Sequence, residues 1–287
     1  MRLAPLFAPL FAPIFALSAS PALAEVPKVM TDIPPVQALV AQVMGELGAP
    51  GMFLDKGGDE HDLALRPSQM RDLAAAGLVV WVGPELTPGL ASALDASGVA
   101  ALALLDDPAT RRLDYAGGGV NPHAWLDPRN AAAWAGLIAE RLAALDPDNA
   151  AAYRANAAAA QKGIAALDAQ LAAELAPIAD KPFLAWHDAY SYFAGHYKLS
   201  YLGGLADGEA APPGAARLSE VAALVAAGGV ACVFPEEQHD PAVVAALGPV
   251  RLGAPLDPVG SMLDPGPDTY GALMQALSSA LTDCLAP

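Results

Sequence analysis

Basic residues are scarce in this chain. Fifteen Lys and Arg face 31 Asp and Glu, for a formal net charge of −16 over 287 residues. Such a surface repels phosphate backbones and anionic lipid, which argues against nucleic acid or acidic membranes as partners, and it attracts cations only mildly at long range. Acidity alone assigns no function, because solubility in an exported protein explains it equally well. Cysteine is rarer still, with Cys232 and Cys284 standing 52 residues apart. That spacing fits no compact zinc motif, whereas an isolated pair in an oxidising compartment bonds, so a structural disulfide joining a strand to the C-terminal helix is expected. His-Glu-x-x-His and Gly-x-Ser-x-Gly are both absent, which removes the usual zinc-protease and serine-hydrolase signatures. There is no internal repeat, no charge run and no low-complexity tract beyond a bias toward alanine.

An apolar run long enough to span a bilayer is also lacking. The stretch from Leu3 to Leu17 follows Arg2, is broken by Pro5, Pro9 and Pro13, and is shorter than the ~20 residues a spanning helix needs. Ala22-Leu23-Ala24 before Glu25 completes the pattern of a secretory signal, residues 1–24, removed after Ala24. No cysteine lies near that cut, so lipid attachment is not expected there. The mature chain is expected to be soluble, exported and, without Arg2, one unit more negative.

What remains reads as α/β. Short apolar runs (Val26 to Met30, Leu78 to Val82, Val99 to Leu105, Phe183 to Trp186, Val230 to Phe234, Val250 to Leu252) alternate with Ala/Leu-rich helical stretches such as Val36 to Leu47 and Arg129 to Leu145. This is the mark of parallel sheets flanked by helices. Between the halves, no proline interrupts the stretch from Pro147 to Pro177, and Ile164, Leu167, Leu171 and Leu175 fall at helical spacing. One helix of about 29 residues, roughly 45 Å long, is expected there, with Gly163 costing about 1 kcal/mol without stopping it. The division is therefore an N-terminal lobe over residues 25–145, a rigid linking helix over 146–177 and a C-terminal lobe over 178–287, each lobe with its own core.

Five histidines occur, and their settings carry the functional argument. In Asn121-Pro-His-Ala-Trp-Leu-Asp-Pro128 the proline fixes the approach to His123, while Asp127-Pro128 reads as N-cap and first helical position. His61 lies in a loop after the apolar run Gly51 to Leu54. His187 directly follows Phe183 to Trp186, with Asp188 able to cap the next helix, and Asp257 follows Val250 to Leu252. Ligands in open α/β sheets bind outside the carboxyl ends of strands, so these four side chains, two from each half, can converge in the cleft between the lobes. Their separations of about sixty to seventy residues make no local chelate. For any one of them a capping or hydrogen-bonding role is the default, and their shared placement brings a metal site level with it. Three imidazoles and a carboxylate suit zinc, whereas manganese prefers more oxygen.

Other residues read differently. His196, near a helix end, suits a solvated or dipole-linked role. His239 sits among acids, Glu60 is a solvated loop carboxylate by default or an extra ligand, and Asp264 repeats the Leu-Asp-Pro context of Asp257 and is its main rival.

Five pieces in order, His61-Asp-Leu-Ala-Leu-Arg-Pro-Ser68, Asn121 to Pro128, Trp186-His-Asp-Ala-Tyr190, Val233-Phe-Pro-Glu-Glu-Gln238 and Leu256-Asp-Pro-Val-Gly260, span nearly the whole mature chain. With them the chain resembles the zinc-binding solute-binding proteins of bacterial ABC importers, of the ZnuA/AztC type. The resemblance implies metal ligation by His61, His123, His187 and Asp257 between two lobes. It also implies a periplasmic location, an inner-membrane permease as partner and a monomer. Manganese-type members of the wider cluster carry a carboxylate where His187 stands. Many zinc members have a long His- and acid-rich loop before the second ligand, but Asp106 to Val120 contains no histidine here. Short-loop members are supplied in some cases by a periplasmic metallochaperone. Two rival readings stay open: a zinc hydrolase with Glu60 or Glu236 as base, and a zinc buffer or adhesin without a permease.

Overall fold

The structure is a computed structural model that describes residues 26–115, 117–206, 213–236 and 241–286. The expected signal segment and His239 lie outside the described residues.

In the N-terminal half, β1 (Val29–Thr31), β2 (Gly51–Met52), β3 (Leu78–Trp81) and β4 (Ala101–Ala103) form an all-parallel sheet in the order β2-β1-β3-β4. The crossovers carry α1 (Pro34–Met44), α2 (Pro67–Ala74) and α3 (Pro88–Ser97). Strands β1 and β3 are buried along their whole length, which is why they read as unbroken apolar runs rather than alternating ones. At their carboxyl ends the buried Asp32 side chain accepts from Ile33 N (2.9 Å) and Val82 N (2.8 Å), pinning the edge from which the site loops depart.

A short antiparallel hairpin, β5 (Leu113–Asp114) and β6 (Val120–Asn121), precedes α4 (Pro128–Leu145). Asp127 caps α4 by accepting from Arg129 N at 3.0 Å, and Pro128 occupies its first turn, as the sequence suggests. The linking helix α5 runs over Ala150–Leu175. It is shorter than expected because Asp146 accepts from Asn149 Nδ2 and the Tyr153 hydroxyl, both at 2.8 Å, and holds Pro147–Asn149 as a 3₁₀ turn. Gly163 does not interrupt it.

The C-terminal half repeats the plan with β7 (Phe183–His187), α6 (Ser191–Tyr197), β8 (Tyr201–Ala206), α7 (Ala215–Ala226), β9 (Cys232–Phe234), α8 (Pro241–Ala245) and β10 (Arg251–Leu252). Its strands are parallel, in the order β10-β9-β7-β8. The last helix, α9 (Thr269–Leu285), packs on α1 and α5.

The expectation of one core per lobe needs correction. A single apolar core runs from the N-terminal sheet through Trp134, Ile164 and Leu171 to Phe183, Phe234 and Leu277, and a smaller cluster around Leu184, Val221 and Val233 fills the far side of the second sheet. Helix α5 is what fuses the halves. Beyond its apolar stripe, Asn156 Nδ2 donates to Val43 O (3.1 Å), Arg154 pairs with Glu140 (2.7 Å), and Glu174 accepts from Gln275 Nε2 (2.9 Å) and Ser278 Oγ (3.1 Å) of α9.

The Cys232–Cys284 disulfide joins β9 to α9, as expected. Because it closes a loop of 52 residues, the chain-entropy account assigns it about 4 kcal/mol. Paired Cys→Ala substitution should lower unfolding stability by that amount in denaturant titrations; a loss under 1 kcal/mol would show that the α9 contacts hold the helix unaided.

Candidate metal centre

His187 closes β7, and His123 stands two residues after β6. His123 thus leaves a small hairpin rather than the parallel sheet, a detail the sequence pattern does not carry. His61 occupies the loop after β2. The three rings meet in the cleft, with centroids 5.0 to 5.6 Å apart. Donor atoms of His61, His123, His187 and Glu60 all lie within 4.8 Å of one another. His123, His187 and Glu60 are buried, and the His61 side chain is 7% exposed. Glu60 therefore joins the group as a buried carboxylate, not a solvated one.

Asp257 is not in that group. Its Oδ1 accepts from Gly260 N (2.8 Å) and Val259 N (3.2 Å), and its Oδ2 from Ser261 Oγ (3.0 Å) and Met262 N (3.3 Å). Those four donors shape a turn that docks on the other lobe, where Trp125 Nε1 donates to Pro258 O (2.8 Å) and Gly57 N to Ser261 O (3.0 Å). Asp264 is 93% exposed and pairs with Lys56, so it is no rival. His196 is not solvated and lies outside that group: its Nε2 meets Asp168 on α5 at 2.7 Å and its Nδ1 meets Asp127 at 3.3 Å. Asp188 does not cap α6, whose N-cap is Tyr190; its carboxylate accepts from Ser191 Oγ instead.

Two neighbours orient the facing imidazoles. Asn121 Nδ2 donates to Asp188 O (2.8 Å), which turns its Oδ1 toward His123 to accept from both the backbone N (3.0 Å) and Nδ1 (2.8 Å). Behind His187, Nδ1 meets Glu236 Oε2 at 2.7 Å. With both Nδ1 atoms spent as donors, the Nε2 atoms face each other at 3.2 Å. Two lone pairs at that distance repel unless a proton or a cation lies between them.

The electrostatics agree. Burial, then the neighbouring His187 and His61, holds His123 well below the usual histidine range. Burial also works against charge on His187, but Glu236, by charge and hydrogen bond, and then Glu60 outweigh it and lift the ring to about 9. Burial pushes Glu60 up to about 8 against the opposing pull of His187. One proton shared between a charged His187 and a neutral His123 satisfies all of these contacts, and a metal ion replacing it would meet the same lone pairs.

The sequence profile of the family described as "Zinc-uptake complex component A periplasmic" matches residues 29–284. The chain belongs to this family. A relative in Paracoccus denitrificans named high-affinity zinc uptake system protein ZnuA is 46% identical over 93% of this chain and 94% of its own length. The protein of the same name in Brucella abortus is 31% identical over 90% of this chain and 91% of its own. Among solved structures, the periplasmic zinc-binding protein TroA of Treponema pallidum superposes with a TM-score of 0.82 at 22% identity, covering 91% of this chain and 99% of its own. FpvC of Pseudomonas aeruginosa, solved with Mn2+, gives 0.80 at 22% identity over 91% of this chain and 98% of its own. At these identities the structural matches establish the fold, two α/β lobes and a long helix, while family membership comes from the sequence. The family is one of periplasmic solute receptors. Among the described residues no helix is long and apolar enough to cross a membrane.

The supporting roles of Asn121 and Glu236 do not follow from the sequence pattern alone, in which Glu236 suits a hydrolase base equally well. The signal was present in both cases: an amide two residues before His123, and a carboxylate just past the strand that neighbours β7.

Proposed function

We propose that this chain captures one Zn2+ in the periplasm through His61, His123, His187 and one carboxylate, and delivers it to an inner-membrane ABC permease. The observation that carries this reading is that donor atoms of His61, His123, His187 and Glu60 lie within 4.8 Å of one another, with the Nε2 atoms of His123 and His187 3.2 Å apart. Three nitrogens and one oxygen would fill a four-coordinate zinc shell and leave no position for an activated water, which favours binding over hydrolysis. The same nitrogen-rich set argues for zinc over manganese. The receptor acts as a monomer, and the division at residues 145 and 177 belongs to the same proposal. Supply by a periplasmic metallochaperone would suit a chain with no histidine before the hairpin.

For the fourth ligand the geometry favours Glu60, whose carboxylate already lies among the imidazoles. Asp257 is the second reading: its charge acts on the Tyr190 hydroxyl at the His187 side of the site, and losing its turn would free it. Zinc titrations of Glu60→Ala and Asp257→Ala separate them. The ligand's removal should weaken binding by about a hundredfold to a thousandfold, a quarter share of the ~10–16 kcal/mol of a structural zinc site. Equal, small effects in both variants would refute a four-ligand site. Failure of the wild-type protein to restore zinc-limited growth in a receptor-deficient strain with its permease intact would refute the transport role.

A further inference from the structure

We infer that Glu236 anchors the C-terminal half of the site, fixing which nitrogen of His187 meets the ion and supplying the second negative charge that a buried divalent cation requires. This rests on the zinc-binding reading above. Glu236 stands two residues beyond β9, 3% exposed, and is held from both sides. Its Oε2 meets His187 Nδ1 at 2.7 Å and its Oε1 accepts from the Tyr190 hydroxyl at 3.2 Å. Its main chain forms a parallel bridge with Leu256, whose N–H donates to Pro235 O at 2.8 Å. A carboxylate so placed cannot swing away without disturbing β7, the start of α6 and the segment leading to Asp257.

An acceptor-only partner at Nδ1 forces the proton onto that nitrogen and leaves Nε2 free to ligate. Asn121 does the same for His123, but with a neutral amide. The difference is charge. Three neutral imidazoles and one carboxylate leave a divalent ion with one uncompensated positive charge, in a cleft where His123 is 0% and Glu60 3% exposed. Uncompensated buried charge is costly. Glu236, one imidazole behind the ion, brings the sum to zero and makes His187 Nε2 a stronger donor.

Substitutions separate the two contributions. Glu236→Gln keeps an oxygen to accept from Nδ1–H and turns an amide NH2 that can donate to the Tyr190 hydroxyl, but removes the charge, and should weaken zinc binding about tenfold; Glu236→Ala removes the acceptor as well and should approach a hundredfold loss. Glu236→Asp, shorter but still anionic, should bind more tightly than Glu236→Gln. In ¹⁵N–¹H spectra of the zinc-loaded proteins, His187 should show a single Nδ1–H form in the wild type and in Glu236→Gln, and a mixture in Glu236→Ala. A purely structural role would leave that tautomer unchanged. Should the alanine variant misfold, the near-isosteric glutamine variant decides. Wild-type affinity in Glu236→Gln, or weaker binding by Glu236→Asp than by Glu236→Gln, overturns the counter-charge. If His187→Ala itself leaves zinc binding intact, it is the site reading that falls instead.

Discussion

His187→Ala should lose zinc affinity by two to three orders of magnitude while keeping its fold. Sharing the ~10–16 kcal/mol of a four-ligand zinc site equally gives each ligand about 2.5 to 4 kcal/mol, roughly two to three orders of magnitude. His187 should fall at the upper end of that range, because it faces His123 Nε2 at 3.2 Å and joins the ion to Glu236. Its removal leaves Glu236 buried beside a void, so the metal-free variant should lose some stability as well. The fold should survive because the side chain lines the cleft, whereas the core beneath β7 is made by Phe183 and Ala185 on one side and Leu184 on the other. Calorimetric zinc titration beside a thermal melt checks both halves. Undiminished affinity would remove His187 from the ligand set. His196→Ala gives the contrast: its partners are Asp168 and Asp127, so zinc affinity should hold while stability falls.

Much of this architecture is legible in the sequence for physical reasons. Strands buried on both faces must be apolar throughout, so β1, β3, β7 and β9 stand out as short runs between helical stretches. Helix α4 announces itself because Asp127-Pro128 supplies both a cap and a fixed φ. The three histidines are legible through a shared setting at chain turns near strand ends. What the sequence does not show is which carboxylate meets them, since that depends on how two loops from different lobes dispose of their own hydrogen bonds. Asp257 has the better sequence context, but the amides of residues 259, 260 and 262 lie within reach of its carboxylate, and a local turn satisfies it. Glu60 has an unremarkable context, but its loop closes against the cleft and takes it out of water. Strand β8 carries no clear sequence signal because Gly203 and Gly204 break its apolar pattern, although the close approach of the β7 main chain demands Gly204: a Cβ there would lie 2.6 Å from His187 C. The fused core was equally invisible, since it depends on the side of the molecule to which α9 returns.

Zinc should stabilise the protein increasingly as pH rises from about 6.5 to 8.5. In the metal-free protein His187 is lifted from 6.5 to about 9, so its contribution to stability is fully present below pH 6.5 and lost as pH rises through 9. Glu60, lifted from 4.5 to about 8, acts in the same direction: its neutral form suits the buried site, and that benefit declines as pH climbs from 4.5 through 8. His123 has the opposite sign but acts only below 6.5, where its depressed value leaves the neutral ring favoured. Zinc competes with the protons on His187 and on any ligating Glu60, so each one displaced strengthens binding by about tenfold per pH unit until that group's own range is reached. The metal-free form therefore weakens over the window in which the metal-bound form tightens. At free zinc about a thousandfold above Kd, the stabilisation is about 4 kcal/mol, or roughly 8–16 °C in Tm for a chain of this size. That gap should widen steadily across the window. Calorimetry at pH 7 in buffers of different ionisation enthalpy then counts the protons. About two released per zinc assigns the fourth position to Glu60, because both groups must give up a proton. About one assigns it to Asp257, because Glu60 keeps its proton as a neutral neighbour. No release at all would mean that His187 does not exchange its proton for the metal, and the convergence of the Nε2 atoms would need another explanation.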